Sequence, residues 1–181
     1  MSETIADFLK FNKVMCVKLI NNIATDLKVG LTISNFSGDA KEYQSSIKNL
    51  PDFAYIGQYT YQNRGIMCSI DPKIITLTTQ RCFGGQVDIK RYKNSTFTFS
   101  ETFIGKSILN QIEAYFKKKK CKVTLNRIEH QKNRSHLFFS DEKVMFIETN
   151  CMVNETDVGK IYFIYPLSFV KQEKEQWLSD N

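Results

Sequence analysis

Apolar residues in this chain recur at two different periods, and the switches between them divide it into elements. Near the start, Ile5, Phe8, Leu9, Met15, Cys16, Leu19, Ile20 and Ile23 return every three or four positions, the spacing of one face of an α-helix. Thr4, with Asp7 three residues on, has the form of a capping box, so a helix is expected over about residues 4–27. A second helical stretch opens with Thr98 and Glu101 and places Phe103, Ile104, Ile108, Ile112, Tyr115 and Phe116 on one face. Gly105 lies within it, and a helical glycine costs about 1 kcal/mol relative to alanine. A close packing contact at that point would explain it.

Strand-like text follows each helix, rich in β-branched and aromatic residues and bounded by turn formers. In the first half the strands are read as 29–36, 53–61 and 65–70, with Gln62-Asn63-Arg64 turning between the last two. In the second half they are 123–129, 143–153 and 158–165, with Asn154-Glu155-Thr156-Asp157 as the turn. Pro72 and Pro166 each follow a strand, at a position suited to the first turn of a helix. Those helices are expected over about 72–83 and 166–178.

Landmarks of the two halves keep one offset. Thr4 answers to Thr98, Lys28-Val29 to Lys122-Val123, Gly65 to Gly159 and Pro72 to Pro166, always 94 residues apart. Two copies of an α-β-β-β-α unit, about 4–84 and 98–178, are therefore expected to form one pseudo-two-fold domain covering residues 1–181. The fold class is α+β, a three-layer α/β/α sandwich.

Composition narrows the class further. With 42% hydrophobic and 13% aromatic residues, the 181-residue chain has the means to bury a core. Lys and Arg exceed Asp and Glu by 25 to 19, a formal charge of +6, which raises the question of nucleic acid. Much of the excess lies in Lys117–Lys120 and Lys122, a run that equally complements the negative end of a helix. The five cysteines are scattered without a C-x-x-C pair and read as buried apolar residues of a reducing cytoplasm. The opening Met1-Ser2-Glu3-Thr4 has no basic n-region, and no apolar run approaches the roughly 18 residues of a membrane span. A soluble, cytoplasmic protein without membrane insertion is expected.

The stretch Ile70-Asp71-Pro72-Lys73-Ile74-Ile75-Thr76-Leu77, followed by Arg81-Cys82-Phe83-Gly84-Gly85, resembles the middle domain of the flagellar motor switch protein FliM, where an aspartate-proline helix runs into a phenylalanine-glycine-glycine loop. Leu50-Pro51, Phe97-Thr98-Phe99-Ser100-Glu101 and Gly159 through Tyr165-Pro166-Leu167-Ser168 are similar to further family landmarks in the same order. The resemblance spans about residues 3–178. It implies a CheC-like fold and a C-ring building block that associates with its own kind and contacts FliG-like subunits through the double-glycine loop. It also implies a position at the cytoplasmic face of a membrane-anchored ring. The chain departs from the family where Val87 replaces the last glycine of the loop and Arg134 replaces a proline after Asn133. The family's amino-terminal acidic peptide and carboxy-terminal FliN-like domain have no counterpart in these residues, which points to an isolated middle domain or a reduced relative.

The candidate partner-binding residues are accordingly Phe83, Gly84, Gly85 and Gln86. Glycine reaches positive φ at little cost, so this segment either presents bare backbone to a partner or serves as a helix-ending turn. Catalytic and cofactor signals are weak. Gly105-Lys106-Ser107 ends like a phosphate loop but lacks its first glycine. His130 and His136 are the only histidines and have no ligand partners at zinc spacing. No Gly-x-Ser-x-Gly elbow occurs. No metal, cofactor or catalytic residue is therefore assigned. The related CheC-type phosphatases use a glutamate and an asparagine three apart on a helix, and neither long helix here carries that pair. Two alternatives stand beside the scaffold: a phosphatase relative without its catalytic pair, and a basic nucleic-acid module using Lys117–Lys120, Lys122, Arg127, Lys132 and Arg134, with aromatics such as Tyr92 to stack on bases.

Overall fold

The computed structural model describes residues 3–26, 30–85, 96–153 and 156–172. In chain order they form α1 (Glu3–Asp26), β1 (Leu31–Glu42), α2 (Tyr43–Lys48), β2 (Phe53–Tyr61), β3 (Arg64–Ile70), α3 (Pro72–Cys82), α4 (Phe99–Lys118), β4 (Thr124–Gln131), a 3-10 turn at Lys132–Arg134, β5 (Lys143–Val153), β6 (Thr156–Pro166) and α5 (Leu167–Gln172). The strands make one sheet in the order β1-β5-β6-β3-β2-β4, and every neighbouring pair is antiparallel.

That order is unchanged when the halves are exchanged and the sheet is read from its other edge. The pseudo-two-fold axis therefore runs between β3 and β6. There Cys68 faces Phe163 and Ser69 faces Tyr162, which are the residues 94 positions on, taken crosswise. The offset is not constant away from the axis. The first hairpin closes at Tyr61 and Arg64, its two turn residues Gln62 and Asn63 both left-handed (φ 45° and 64°), as a tight type I′ turn requires. The second closes at Val153 and Thr156, 92 residues on rather than 94.

Period-two alternation sorts the sheet residues onto two faces. One face carries Tyr55, Tyr59, Ile66, Cys68, Met145, Ile147, Phe163 and Tyr165 against α1, α3, α4 and α5, in a single buried cluster. The other carries Ala54, Ile56, Met67, Val144, Phe146 and Ile164, covered by Tyr43 and Ile47 of α2 and by Leu50, Leu137 and Phe138. The three layers are thus unequal: four helices on one side, and a six-residue helix with loop on the other. Tyr43 secures the thin layer by donating its hydroxyl to the Ser135 carbonyl.

Several expectations need correction. Thr4 lies inside α1, which begins at Glu3, so Thr4 does not cap it. β1 continues to Glu42 because its residues stay paired with β5 as far as Lys143, and that ladder overrides the turn-like Ser37-Gly38-Asp39. Pro166 is the last residue of β6, one step before α5, whereas Pro72 opens α3. Helix α2 is an addition. The closing helix is described only to Gln172, and Lys28, Val29, Asn154 and Glu155 lie outside the described residues.

Gly105 meets its expectation. A Cβ there would sit 2.6 Å from Cζ of Tyr55, whose hydroxyl donates to the Thr102 carbonyl at 2.8 Å. The glycine lets α4 lie directly on that ring.

Candidate functional site

The double-glycine segment is the end of α3. Asp71 starts that helix by accepting a hydrogen bond from the Lys73 amide at 2.9 Å, and Pro72 supplies the fixed φ of the first turn. Ile74, Ile75, Leu77 and Thr78 then bury one face. At the other end Phe83 is the C-cap, and Gly84 takes φ +74°. The Gly84 amide donates to the Arg81 carbonyl at 3.1 Å and the Gly85 amide to Gln80 at 2.8 Å, the paired bonds of a Schellman motif. A Cβ on Gly84 would meet nothing within 4 Å, so glycine is needed there for its backbone angle alone. The segment is a helix-ending turn by geometry, and it also holds Phe83 outward with 71% of its surface exposed. Gln86 and Val87 lie outside the described residues.

The start of α4 is tied to the same helix. Thr98 and Glu101 form the expected capping box, and the other oxygen of Glu101 accepts from the Thr76 hydroxyl of α3 at 2.6 Å. Phe99 and Phe103, one helical turn apart, are 90% and 67% exposed. This reverses the expectation for Phe103. The buried stripe runs through Ile104, Gly105, Ile108, Leu109, Ile112 and Phe116, and residue 103 falls about 100° to its side, in line with Phe99 and Lys106 on the outer face. Apolar spacing does not reveal the outward pair, because it says which residues share a face, while only the packed sheet says which face is covered.

Aromatic packing surrounds His130. Its ring centroid lies 5.0 Å from that of Phe97 and 5.2 Å from that of Tyr55, while Phe53 stacks on Phe97 at 4.7 Å. Burial lowers the His130 pKa below its ordinary value, against the opposing charge of Glu129. His136 is exposed. No group of three or more His, Cys, Asp or Glu among the described residues is placed to hold a metal ion. Four of the five cysteines are buried and Cys82 is half-buried. Burial pushes the Cys16 thiol up to about 11, with the Thr149 hydroxyl bond opposing.

Three of the amide and carboxylate groups on the two long helices, those of Asn12, Glu101 and Glu113, are committed to structure. Asn12 is fully buried, accepting from the Tyr165 hydroxyl at 2.7 Å and donating to the Phe8 carbonyl at 2.9 Å. The residue three before it is Leu9. On α4, Glu101 belongs to the capping box and Glu113 accepts from the Leu125 amide at 2.8 Å. The basic set is divided as well. Arg127 pairs with Glu129, and Lys132 pairs with Asp52 at 2.8 Å while donating to the Leu50 carbonyl. Lys117 and Lys118 fill the last turn of α4, and Tyr92 lies outside the described residues. No helix among the described residues is long and apolar enough to cross a membrane.

No family profile and no curated protein matches this sequence. Solved structures do match it along its length. A chain of the FliG–FliM complex from H. pylori aligns over 95% of this chain and 100% of its own, at 17% identity and a TM-score of 0.84. The FliM middle domain from the same organism aligns over 97% and 99%, at 15% identity and 0.80. FliY of Thermotoga maritima aligns over 100% and 98%, at 10% identity and 0.75. At such identities the shared property is architecture, and the chain has the fold of the FliM middle domain.

Proposed function

We propose that the chain is a non-enzymatic scaffold subunit of a flagellar switch ring or a related secretion-type ring, acting through protein contacts, with the Phe83-Gly84-Gly85 corner as its contact for another ring subunit. The observation that carries the reading is the likeness over nearly the whole length of both chains to a component of a FliG–FliM complex. By that analogy the partner at the corner is a FliG-like subunit, and copies of the chain itself stand beside it in the ring. The physical support is local. Phe83, Phe99 and Phe103 expose most of their rings on helices fixed by a Schellman turn, a capping box and the Thr76–Glu101 bond. Rigid, exposed aromatic groups are the usual anchors of protein contacts.

Affinity capture from the native cell tests the reading, using the wild-type chain, Phe83→Ser and the double variant Gly84→Ala, Gly85→Ala. Ring subunits are expected with the wild type and are expected to be depleted with both variants while the fold persists. Capture that is unchanged in the folded variants removes the corner as the contact. Capture without any ring component removes the scaffold itself. The purified chain should leave the dephosphorylation rate of a phosphorylated CheY unchanged, since neither long helix carries a glutamate followed three residues on by an asparagine to position a water, and measured acceleration would overturn the non-enzymatic reading.

A further inference from the structure

A second site lies away from that corner, in the groove between α1 and α4. Its cavity measures about 230 Å³. Binding pockets for drug-sized molecules run from about 300 to 1,000 Å³, so this one has room for a single side chain. Met15 and Leu19 of α1 and Ile112 of α4 supply its apolar floor, and Asn22 of α1 with Gln111 and Tyr115 of α4 its polar wall.

The wall is chemically incomplete. The Gln111 Oε1 and the Tyr115 hydroxyl are both withdrawn from solvent, and neither has a hydrogen-bond partner among the described residues. Leaving such a group unmatched is costly, and each one in a native structure calls for an explanation; Ser69, Ser135 and Asn150 carry the other such atoms among the described residues, away from this groove. The two residues are four apart on one helix, hence neighbours on one face with Cβ atoms about 5–6 Å apart. One needs a donor and the other offers one. An amide group answers both, because its N–H₂ donates to a carbonyl oxygen and its own oxygen accepts from a hydroxyl.

The rim carries a charge preference. Lys118 lines the groove and Lys18 stands 5.9 Å above the Tyr115 ring. Among the described residues no acid pairs with either. Burial and the like charge of Lys18 both lower the pKa of Lys119, so positive charge is crowded at this end of the two helices.

We infer that the α1–α4 groove receives a glutamine or asparagine side chain from a partner protein, with a carboxylate beside it in the partner's sequence resting on the lysine rim. The amide completes the two orphan groups, the partner's methylenes cover the apolar floor, and the carboxylate answers Lys18 and Lys118. This site does not depend on the Phe83 corner or on the partner proposed for it.

The test is an NMR titration of the ¹⁵N-labelled full chain with acetyl-Gln-Glu-dimethylamide, with acetyl-norleucine-Glu-dimethylamide and acetyl-Gln-Lys-dimethylamide as comparisons. The glutamine–glutamate peptide is expected to shift the Gln111 side-chain amide and Tyr115 resonances and to bind about tenfold tighter than either comparison, as a matched pair of hydrogen bonds to otherwise unpaired groups implies. In Tyr115→Phe and Gln111→Leu that preference should disappear with no loss of thermal stability, because each removes an unpartnered group. Equal binding of the norleucine peptide, or no binding at these resonances, overturns the inference. So does a cavity filled by water alone that the peptide fails to displace. A lower thermal midpoint in Tyr115→Phe would overturn it too, by showing that the hydroxyl already has a partner within the chain.

Discussion

Replacing Gly105 with alanine sets two well-defined effects against each other. On an exposed helix the change would stabilise by about 1 kcal/mol through propensity. Here the new methyl carbon would lie 2.6, 2.7 and 2.8 Å from three consecutive carbons of the Tyr55 ring, nearly 1 Å inside ordinary carbon contact. The ring has little room to retreat. Its hydroxyl is bonded to Thr102, and Phe97 and His130 stand 5.1 and 5.2 Å from its centroid. Overpacking of this kind costs about 1–3 kcal/mol, and a displaced, unpaired Tyr55 hydroxyl would add about 1–3 kcal/mol. After the propensity gain of about 1 kcal/mol is subtracted, Gly105→Ala should destabilise by about 1–5 kcal/mol. For a chain of this length that is a fall in Tm of roughly 2–20 °C at about 2–4 °C per kcal/mol. Thermal and denaturant unfolding of Gly105→Ala, Tyr55→Leu and the double variant would measure it, and the double variant should recover part of the loss because the smaller side chain vacates the space. A Gly105→Ala chain as stable as the wild type or more so would refute the packing argument and leave helix propensity as the ruling effect.

Other positions give contrasting outcomes. Gly84→Ala should cost only about 1 kcal/mol, for its left-handed backbone in open space. Gly159→Ala should cost more, about 2–4 kcal/mol, since its Cβ would combine φ +112° with a position 2.6 Å from Asp71 Oδ2; equal losses in denaturant midpoints would contradict this. Lys120 occupies the same left-handed place at the end of α4 (φ 60°), so Lys120→Gly should raise stability by about 0.5–1 kcal/mol, and a lowered Tm would count against the assignment. Asp71 has its pKa raised above 3.8, chiefly by burial. Its folded form therefore holds the proton more tightly than the unfolded chain. The associated stability is complete below pH 3.8 and is lost as pH rises through the folded pKa. Asp71→Asn keeps a side-chain cap for Lys73 and should gain on the wild type as pH increases over that range. A difference between the two chains that does not change with pH would disprove it.

Much of this architecture is written in local pattern. The limits of β2 and β5 coincide with the runs 53–61 and 143–153, because period-two alternation and the flanking turn residues are properties of neighbouring positions. The capping box at Thr98 and the start of α3 at Pro72 were legible for the same reason: a cap is made by residues three apart. The repeated landmarks went further and anticipated a two-fold relation between the halves, and the observed sheet order reads alike from either edge. What the sequence could not decide were contacts between distant segments. β1 reaches Glu42 only because β5 lies beside it. Phe103 faces outward because the sheet covers the neighbouring stripe of α4. Phe83-Gly84-Gly85 was visible as a motif, yet its Schellman bonds and exposed ring depend on how α3 ends against the domain. The unpaired Gln111 and Tyr115 had no signal at all in the sequence, since whether a polar group finds a partner depends on every segment that folds near it.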